Sequence, residues 1–189
     1  MRVAVMAAGA VGGYFGGRLA AAGHDVAFIA RGAHRDAMRR DGLKIESGLG
    51  DLHLKSVDVT DDPKQVGPVD VVLFAGVLYH LSDPILGTRL TFNVLKPGGT
   101  CLLETGATRS EERILEYGGK NQTNKGGGAN WFFPSPLVVT EIMDEVGYTD
   151  IRSAVNHRAN KRRDRMVAVG TKTKQVDMLR AGLSVPTVR

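Results

Sequence analysis

An apolar run that breaks into a glycine-rich turn constrains this chain most. Arg2-Val-Ala-Val-Met-Ala7 reads as a buried parallel strand, followed by Ala8-Gly9-Ala10-Val11-Gly12-Gly13 and a helix that runs to about Ala22 and stops at Gly23. A G-x-G-x-x-G turn between strand and helix lets backbone amides approach a pyrophosphate and aims the helix N-terminus at its charge. Ala7 stands at the first glycine position, which an alanine can occupy if its φ is negative; Gly9 and Gly12 hold the other two. Gly9 governs close approach to phosphate, and Gly12 permits packing of helix on strand. Gly12/Gly16 and Gly13/Gly17 lie one helical turn apart and predict a flat helix face against the sheet.

The second strand, Asp25-Val-Ala-Phe-Ile-Ala30, ends without an acid and is followed by Arg31, nineteen residues past Gly12. An Asp or Glu at that point would bond a ribose 2′-hydroxyl, whereas a guanidinium can fork onto a 2′-phosphate that a carboxylate would repel. The pattern therefore favours NADP(H) over NAD.

At 189 residues, with 42% hydrophobic and 24% charged, the chain has the length and composition of one α/β domain. Cys101 is its single cysteine, which excludes a disulfide framework and a cysteine-ligated structural zinc. No run approaches a membrane span and no secretion signal is evident, so a cytoplasmic protein with no membrane partner is expected. The net charge of +5 is concentrated in residues 151–189, where ten Lys/Arg face two acids. We read that excess as a solvated hairpin and basic tail, with no nucleic-acid partner expected. Composition leaves the oligomeric state open.

Further elements follow in alternation. A basic helix spans Ala33 to Asp41, and Leu43–Ser47 with Leu52–Val57 look like a hairpin or a meandering edge. Val69–Ala75 is the next core strand, Ser82-Asp83-Pro84 starts a helix to about Leu95, and Lys96-Pro-Gly-Gly99 breaks it before a strand at Thr100–Thr105. Residues 106–130 read as a long loop with a short helix around Glu111–Tyr117 and a Gly126–Gly128 tract. Pro134–Val146 is a helix ended by Gly147, Asp150–Asn156 and Arg165–Thr171 a final antiparallel pair, and Val176–Leu179 one helical turn in the tail. The fold class is α/β, a single doubly wound Rossmann-like domain over 1–189 with a mostly parallel sheet.

The string Met6 to Ala20, followed by Gly23-His-Asp-Val-Ala-Phe-Ile-Ala-Arg-Gly32, makes residues 1 to about 75 resemble the N-terminal half of ketopantoate reductases. The resemblance implies NADPH binding by Gly9, Ala10, Val11, Gly12 and Arg31, with Ala75 and Gly76 assigned to the same cofactor site. That family continues with a lysine near the nicotinamide where this chain has Ala75-Gly76-Val77, and its helical substrate domain has no counterpart here, so ketopantoate reduction is not expected. From about Gly76 to 171 the chain looks like the second half of a class I S-adenosylmethionine (SAM) methyltransferase. Gly76-Val-Leu-Tyr-His-Leu-Ser-Asp-Pro84 and Leu95-Lys-Pro-Gly-Gly-Thr-Cys-Leu-Leu-Glu-Thr105 carry that resemblance. Asn130–Ser135 and Gly147–Ile151 are similar to a branch related to tRNA wobble-uridine modification. The acids with which such enzymes hold SAM are replaced by Ala7 and Ala30-Arg31. Together the halves imply a hybrid with its seam near Phe74–Val77, a sheet order of 3-2-1-4-5-7-6, and a basic tail over 172–189.

Side chains with chemical potential have plainer readings. His80 and Asp83 could form an acid–base pair, but a helix cap and a helix-entry histidine explain them. Glu104 could face the crevice, and Trp131-Phe132-Phe133 could stack a base or anchor a loop. The five histidines are scattered without metal spacing, and Ser110 and Ser135 lack a base, so no catalytic and no metal-ligating residue is assigned. The expectation is an NADP(H)-binding protein without efficient turnover. The alternatives are a SAM-binding, methyltransferase-like protein and a folded scaffold that binds neither cofactor.

Overall fold

The computed structural model of the chain describes residues 1–118, 130–157, 159 and 163–173. The Gly126–Gly128 tract, the 176–179 turn and, among the basic residues of the C-terminal region, Arg158, Lys161, Arg162, Lys174, Arg180 and Arg189 lie outside the described residues. In chain order the elements are β1 (Arg2–Met6), α1 (Ala10–Ala21), β2 (Asp25–Ile29), α2 (Gly32–Asp41), β3 (Leu43–Ile45), β4 (Leu52–Leu54), β5 (Asp58–Thr60), β6 (Val69–Ala75), α3 (Pro84–Val94), β7 (Leu95–Ala107), β8 (Leu115–Tyr117), β9 (Phe132–Pro134), α4 (Pro136–Val146), β10 (Tyr148–Asn156) and β11 (Asp164–Lys172).

A seven-stranded sheet runs β10-β11-β7-β6-β1-β2-β5. Read from the β5 edge, this is the order 3-2-1-4-5-7-6. β1 pairs in parallel with β2 and β6, β6 with β7, and β2 with β5, while β11 runs antiparallel to both β7 and β10. Strand alternation divides the core in two. Val3, Val5, Phe28 and Leu73 point to the face that α1 covers; Ala4, Ala27, Val72 and Phe74 point to the face that carries Phe92 of α3 and Val139 and Met143 of α4. The chain thus buries both faces of the parallel part, as its apolar strands require.

Helix ends follow the chemistry of their caps. Asp83 accepts the Leu86 amide at 2.8 Å ahead of Pro84, and Ser135 accepts the Val138 amide ahead of Pro136. Gly147 closes α4 in the left-handed region, with φ +106. At the end of α3 a different device appears. Buried Lys172, on β11, sends its ammonium to the carbonyls of Phe92 at 3.0 Å and Leu95 at 2.8 Å, above the Phe92 ring. A cation there satisfies orphan carbonyls and the negative helix end, although desolvation lowers the lysine pKa.

Four expectations are corrected. The third strand of the parallel set is β5, which lies beyond the segment read as the hairpin; β3 and β4 form the hairpin alone. Three residues, Asp58-Val-Thr60, carry too little periodicity to announce a strand. No helix forms around Glu111–Tyr117. Leu115–Tyr117 pairs instead with Phe132–Pro134 as a two-stranded ribbon, because the Ile114 and Ser135 backbones and the Gly118 and Trp131 backbones hydrogen-bond across it. Lys96–Gly99 does not separate helix from strand; it begins β7, whose register against β6 shifts between Val69 and Val71. Gly13 and Gly17 face Leu43 and Ile45 of the β3–β4 ribbon rather than the main sheet.

Beneath α3, fully buried Cys101 lies 3.8 Å from the Thr91 hydroxyl, which also meets the Tyr148 hydroxyl at 2.9 Å. Burial pushes the Cys101 thiol from 9.0 up to about 11, and burial raises Tyr148 as well. Because Cys101 holds its proton more tightly when folded, the stability linked to it is complete below pH 9 and is lost as pH rises toward about 11, and the raised Tyr148 adds to the loss only above pH 10. Denaturant melts at stepped pH should show stability falling across that window, with a shallower fall in Cys101→Ala. Cys101 should also resist a disulfide reagent until denaturant unfolds the chain; rapid labelling in native buffer would contradict its burial.

Candidate functional site

The C-terminal ends of β1, β2 and β6 meet where the sheet order reverses, the place at which open α/β sheets leave a crevice. A cavity of about 570 Å³ opens there. Its mouth is formed by Ala7, Ala8 and Gly9 after β1, by Ala30, Arg31 and His34 after β2, and by Ser82 and Asp83 ahead of α3.

The first turn is built by close approach. A Cβ on Gly12 would meet the Ala7 carbonyl oxygen at 2.2 Å and Val5 at 3.0 Å, so glycine is obligatory there. Gly9 differs: a Cβ there would meet nothing within 4 Å, and its space belongs to the crevice. Gly9 stands at the N-cap of α1 with no side-chain cap and no acid in the first helical turn. The positive end of α1 therefore faces the cavity without a protein anion against it. Ala7 has φ +68, which corrects the expectation of a negative φ. The tight turn imposes a left-handed residue at the first glycine position, and alanine bears the strain of about 1 to 2 kcal/mol.

Arg31 is the N-cap residue of α2, exposed on the cavity rim. Its guanidinium makes no hydrogen bond or ion pair among the described residues. One turn on, the His34 Nε2–H donates to the Ala8 carbonyl at 2.7 Å, which ties the start of α2 to the glycine turn. Two carboxylates also reach the rim, and each is engaged: Asp61 pairs with Arg35, and Asp83 caps α3.

Of the residues assigned from sequence, Gly9 and Arg31 line the cavity together. Ala10, Val11 and Gly12 form the helix start behind Gly9. Ala75 is buried, and Gly76, with φ +71, turns so that a Cβ would lie 3.5 Å from Val11. The amide of Gly76 donates to the Glu104 carbonyl at 2.9 Å. These two residues buttress the first turn and are not cavity wall.

The remaining candidates have structural partners. Asp83 is a helix cap, and His80 packs on the Tyr79 ring at 4.1 Å. Glu104 is held by both Nε and a terminal nitrogen of Arg165 on the adjacent strand, and that guanidinium lies 5.2 Å from the Tyr79 ring. Phe133 is buried, stacked on Tyr79 and covered by Arg163 at 4.4 Å, while Trp131 and Phe132 flank Tyr117. The aromatic triplet anchors its loop. Ser135 caps α4. Sequence reading missed Asp164, a fully buried carboxylate gripped by Arg109 at 3.0 Å and by His157 Nδ1 at 2.8 Å. No local spacing signals a contact between residues 55 positions apart.

Fold and crevice define a Rossmann-like α/β protein, and its similarities run to two families. Residues 3–90 match the family described as ketopantoate reductase PanE/ApbA. Among curated proteins, 2-dehydropantoate 2-reductase of Pyrococcus abyssi is 33% identical over 120 residues, 64% of this chain and 38% of that protein. tRNA U34 carboxymethyltransferase of Desulfotalea psychrophila is 31% identical over 115 residues, 61% of this chain and 35% of that protein. The two matches together exceed the chain, so they share a stretch of it. The chain spans little more than a third of the length of these relatives. Among solved structures, the N-terminal domain of EvdMO1 with SAH bound superposes with a TM-score of 0.61 over 91% of this chain and 74% of that one, at 16% identity, a likeness of fold. No helix among the described residues is long and apolar enough to cross a membrane.

The strained turn yields a paired expectation. Ala7→Gly should stabilise the protein by about 0.5 to 1 kcal/mol, the strain relieved less the added freedom of the unfolded chain. Gly12→Ala should destabilise it by about 2 kcal/mol or more through collision with backbone. Denaturant midpoints check both, and a destabilising Ala7→Gly would contradict the left-handed turn.

Proposed function

We infer that the first βαβ unit, β1–α1–β2, binds NADP(H), with the pyrophosphate at the Gly9–Gly12 helix start and the 2′-phosphate on Arg31, and that the chain does so without efficient turnover. The observation that carries this reading is Arg31 on the cavity rim with no protein partner among the described residues, at the strand end where NAD sites carry an acid. The open space at Gly9 and the uncapped start of α1 suit a phosphate in close contact. The match of residues 3–90 to the ketopantoate reductase family supports the same cofactor.

SAM fits this rim less well. Its ribose hydroxyls call for a carboxylate at the end of β2, where Ala30 and Arg31 stand, and the carboxylates that do reach the rim are engaged by Arg35 and by the α3 amide. Hydride transfer requires a positioned substrate and a proton donor as well as the cofactor. Of the carboxylates near the crevice, Asp83 is a helix cap, and Asp61 and Glu104 are held in ion pairs.

Calorimetric titration separates the readings. NADPH should bind about 10- to 100-fold more tightly than NADH, the worth of a charge-assisted contact to the 2′-phosphate. Arg31→Ala should bring the two together. Equal affinities unaffected by the substitution, or binding of SAM in preference to NADPH, would refute the proposal.

A further inference from the structure

The helical layer on the α1 side of the sheet is incomplete. Helix α1 lies over β1, β2 and β6, α2 lies beside β5, and α3 and α4 pack on the opposite face. Strand alternation turns Leu102 of β7, Val167 and Val169 of β11 and Ala154 of β10 to the α1 side, where register sets Val169 beside Leu102 and Ala154 beside Val167. No helix among the described residues covers them. Leu102 and Val169 are half-buried, Val167 is 37% exposed and Ala154 is exposed. They form a low apolar floor of the kind a doubly wound sheet normally hides under a second layer. At its β10 border, level with Val169, stands exposed Arg152, with no carboxylate partner among the described residues.

The same surface rises over α1 to a knob. Val11 lies beside Gly76 at the end of β6, and Phe15, one helical turn on, stands on that flank with 52% exposure. Gly13 and Gly17, on the opposite flank, receive the β3–β4 ribbon, whose tip folds back over the helix where Arg18 donates to the Gly50 carbonyl. The tip is also tied by its own hydrogen bonds. Asp51 accepts the Ser47 amide at 2.9 Å, the Ser47 hydroxyl accepts the Leu49 amide at 3.1 Å, and the Gly50 amide donates to the Ser47 carbonyl at 2.9 Å. This ordered turn holds Leu49 out at 82% exposure. Exposed Glu46 and Asp51 share the tip, and neither is paired with a cation among the described residues.

A high acidic knob and a low floor with a basic border thus stand at the two ends of one strip, with α1 between them. A two-fold axis running along the strands lays the knob of each copy on the floor of the other and brings unlike charges together at both ends. Stacking floor on floor would instead oppose Arg152 to Arg152. Helix diameter and strand spacing make the strip about 30 Å across and about 17 Å tall, roughly 500 Å² in projection. The relief of knob and step brings the contact toward the ~800 Å² per partner of a stable interface, which the floor alone, about 14 by 17 Å, falls well short of.

We propose that the chain forms a two-fold dimer through this strip, with Leu49 of each copy seated on Leu102, Val167 and Val169 of the other and with Glu46 and Asp51 set against Arg152. The crevice at the strand ends beside α3 stays open in such a dimer, so this proposal and the cofactor reading stand or fall separately.

Sedimentation velocity of the full chain from about 1 to 300 µM measures the association. The expected result is a reversible dimer with a Kd of about 10 µM, as suits an interface at the small end of the stable range. Leu49→Asp should weaken association about 10- to 100-fold, the worth of a buried leucine. Glu46→Lys combined with Asp51→Asn reverses the charge of the tip and keeps an acceptor for the Ser47 amide; Arg152→Glu reverses the charge of the floor border. Each variant should dimerise about 5- to 10-fold more weakly, and an equimolar mixture of the two should associate as the parent does, because every tip then meets an opposite charge. The substituted positions are exposed, and circular dichroism checks their folding. A chain that stays monomeric at the highest concentration would overturn the proposal, as would a dimer indifferent to Leu49→Asp or a mixture no tighter than its components. Amide shifts on dilution confined to β10, with Leu102, Val167 and Val169 unmoved, would assign the association to the open edge strand and also overturn it.

Discussion

A Cβ on Gly12 would press into the Ala7 carbonyl at 2.2 Å, and one on Gly16 would lie 2.7 Å from both Phe28 and Val5. Helix α1 therefore approaches β1 and β2 at a distance that side chains forbid, and much else follows from that contact. The chain must reverse between β1 and α1 within three residues, which forces Ala7 into the left-handed region and leaves Gly9 open toward the crevice. The same closeness points the first-turn amides at the strand ends. A phosphate-sized space with a positive helix end is the product of packing, before any ligand is considered.

The second constraint is continuity of the sheet through β6. Its residues pair with β1 on one side and β7 on the other, which puts this strand at the centre of the core. Its run of Val, Leu and Phe suits that place, because a parallel strand there is buried on both faces. The crossover from β5 to β6 carries one 3₁₀ turn, Pro63–Val66, beside the crevice, where Met6 is partly exposed while Ile29 and Phe74 stay buried. At the other edge, Lys172 on the last strand locks the end of α3 and joins the C-terminal part to the helix that walls the crevice.

Much of the architecture was legible in the residues. Long apolar strands, the Gly12/Gly16 pair of α1, the Asp83-Pro84 and Ser135-Pro136 starts and the Gly147 stop each act locally, and each appears where its chemistry places it. The strand order followed from the resemblance to two doubly wound families. β5 and β8 escaped because three-residue strands owe their existence to a partner and not to their own pattern. Within the site, Gly9 and Arg31 could be read because backbone approach and a strand-end charge are sequence-local signals. The Glu104–Arg165 and Asp164–Arg109 pairs, 61 and 55 positions apart, could not. Nor could the sign of φ at Ala7, which depends on how near α1 settles.

The central claim is that the first turn and Arg31 select the ligand, whatever strands follow. Amide chemical shifts measure this most directly, in an isotope-labelled sample titrated in parallel with 2′,5′-ADP and with S-adenosylhomocysteine. Shifts concentrated at Gly9, Ala10, Val11, Gly12 and Arg31 on adding 2′,5′-ADP, and small ones with the sulfur nucleoside, are the expected result. Saturable shifts of the same amides with S-adenosylhomocysteine and none with 2′,5′-ADP would contradict it.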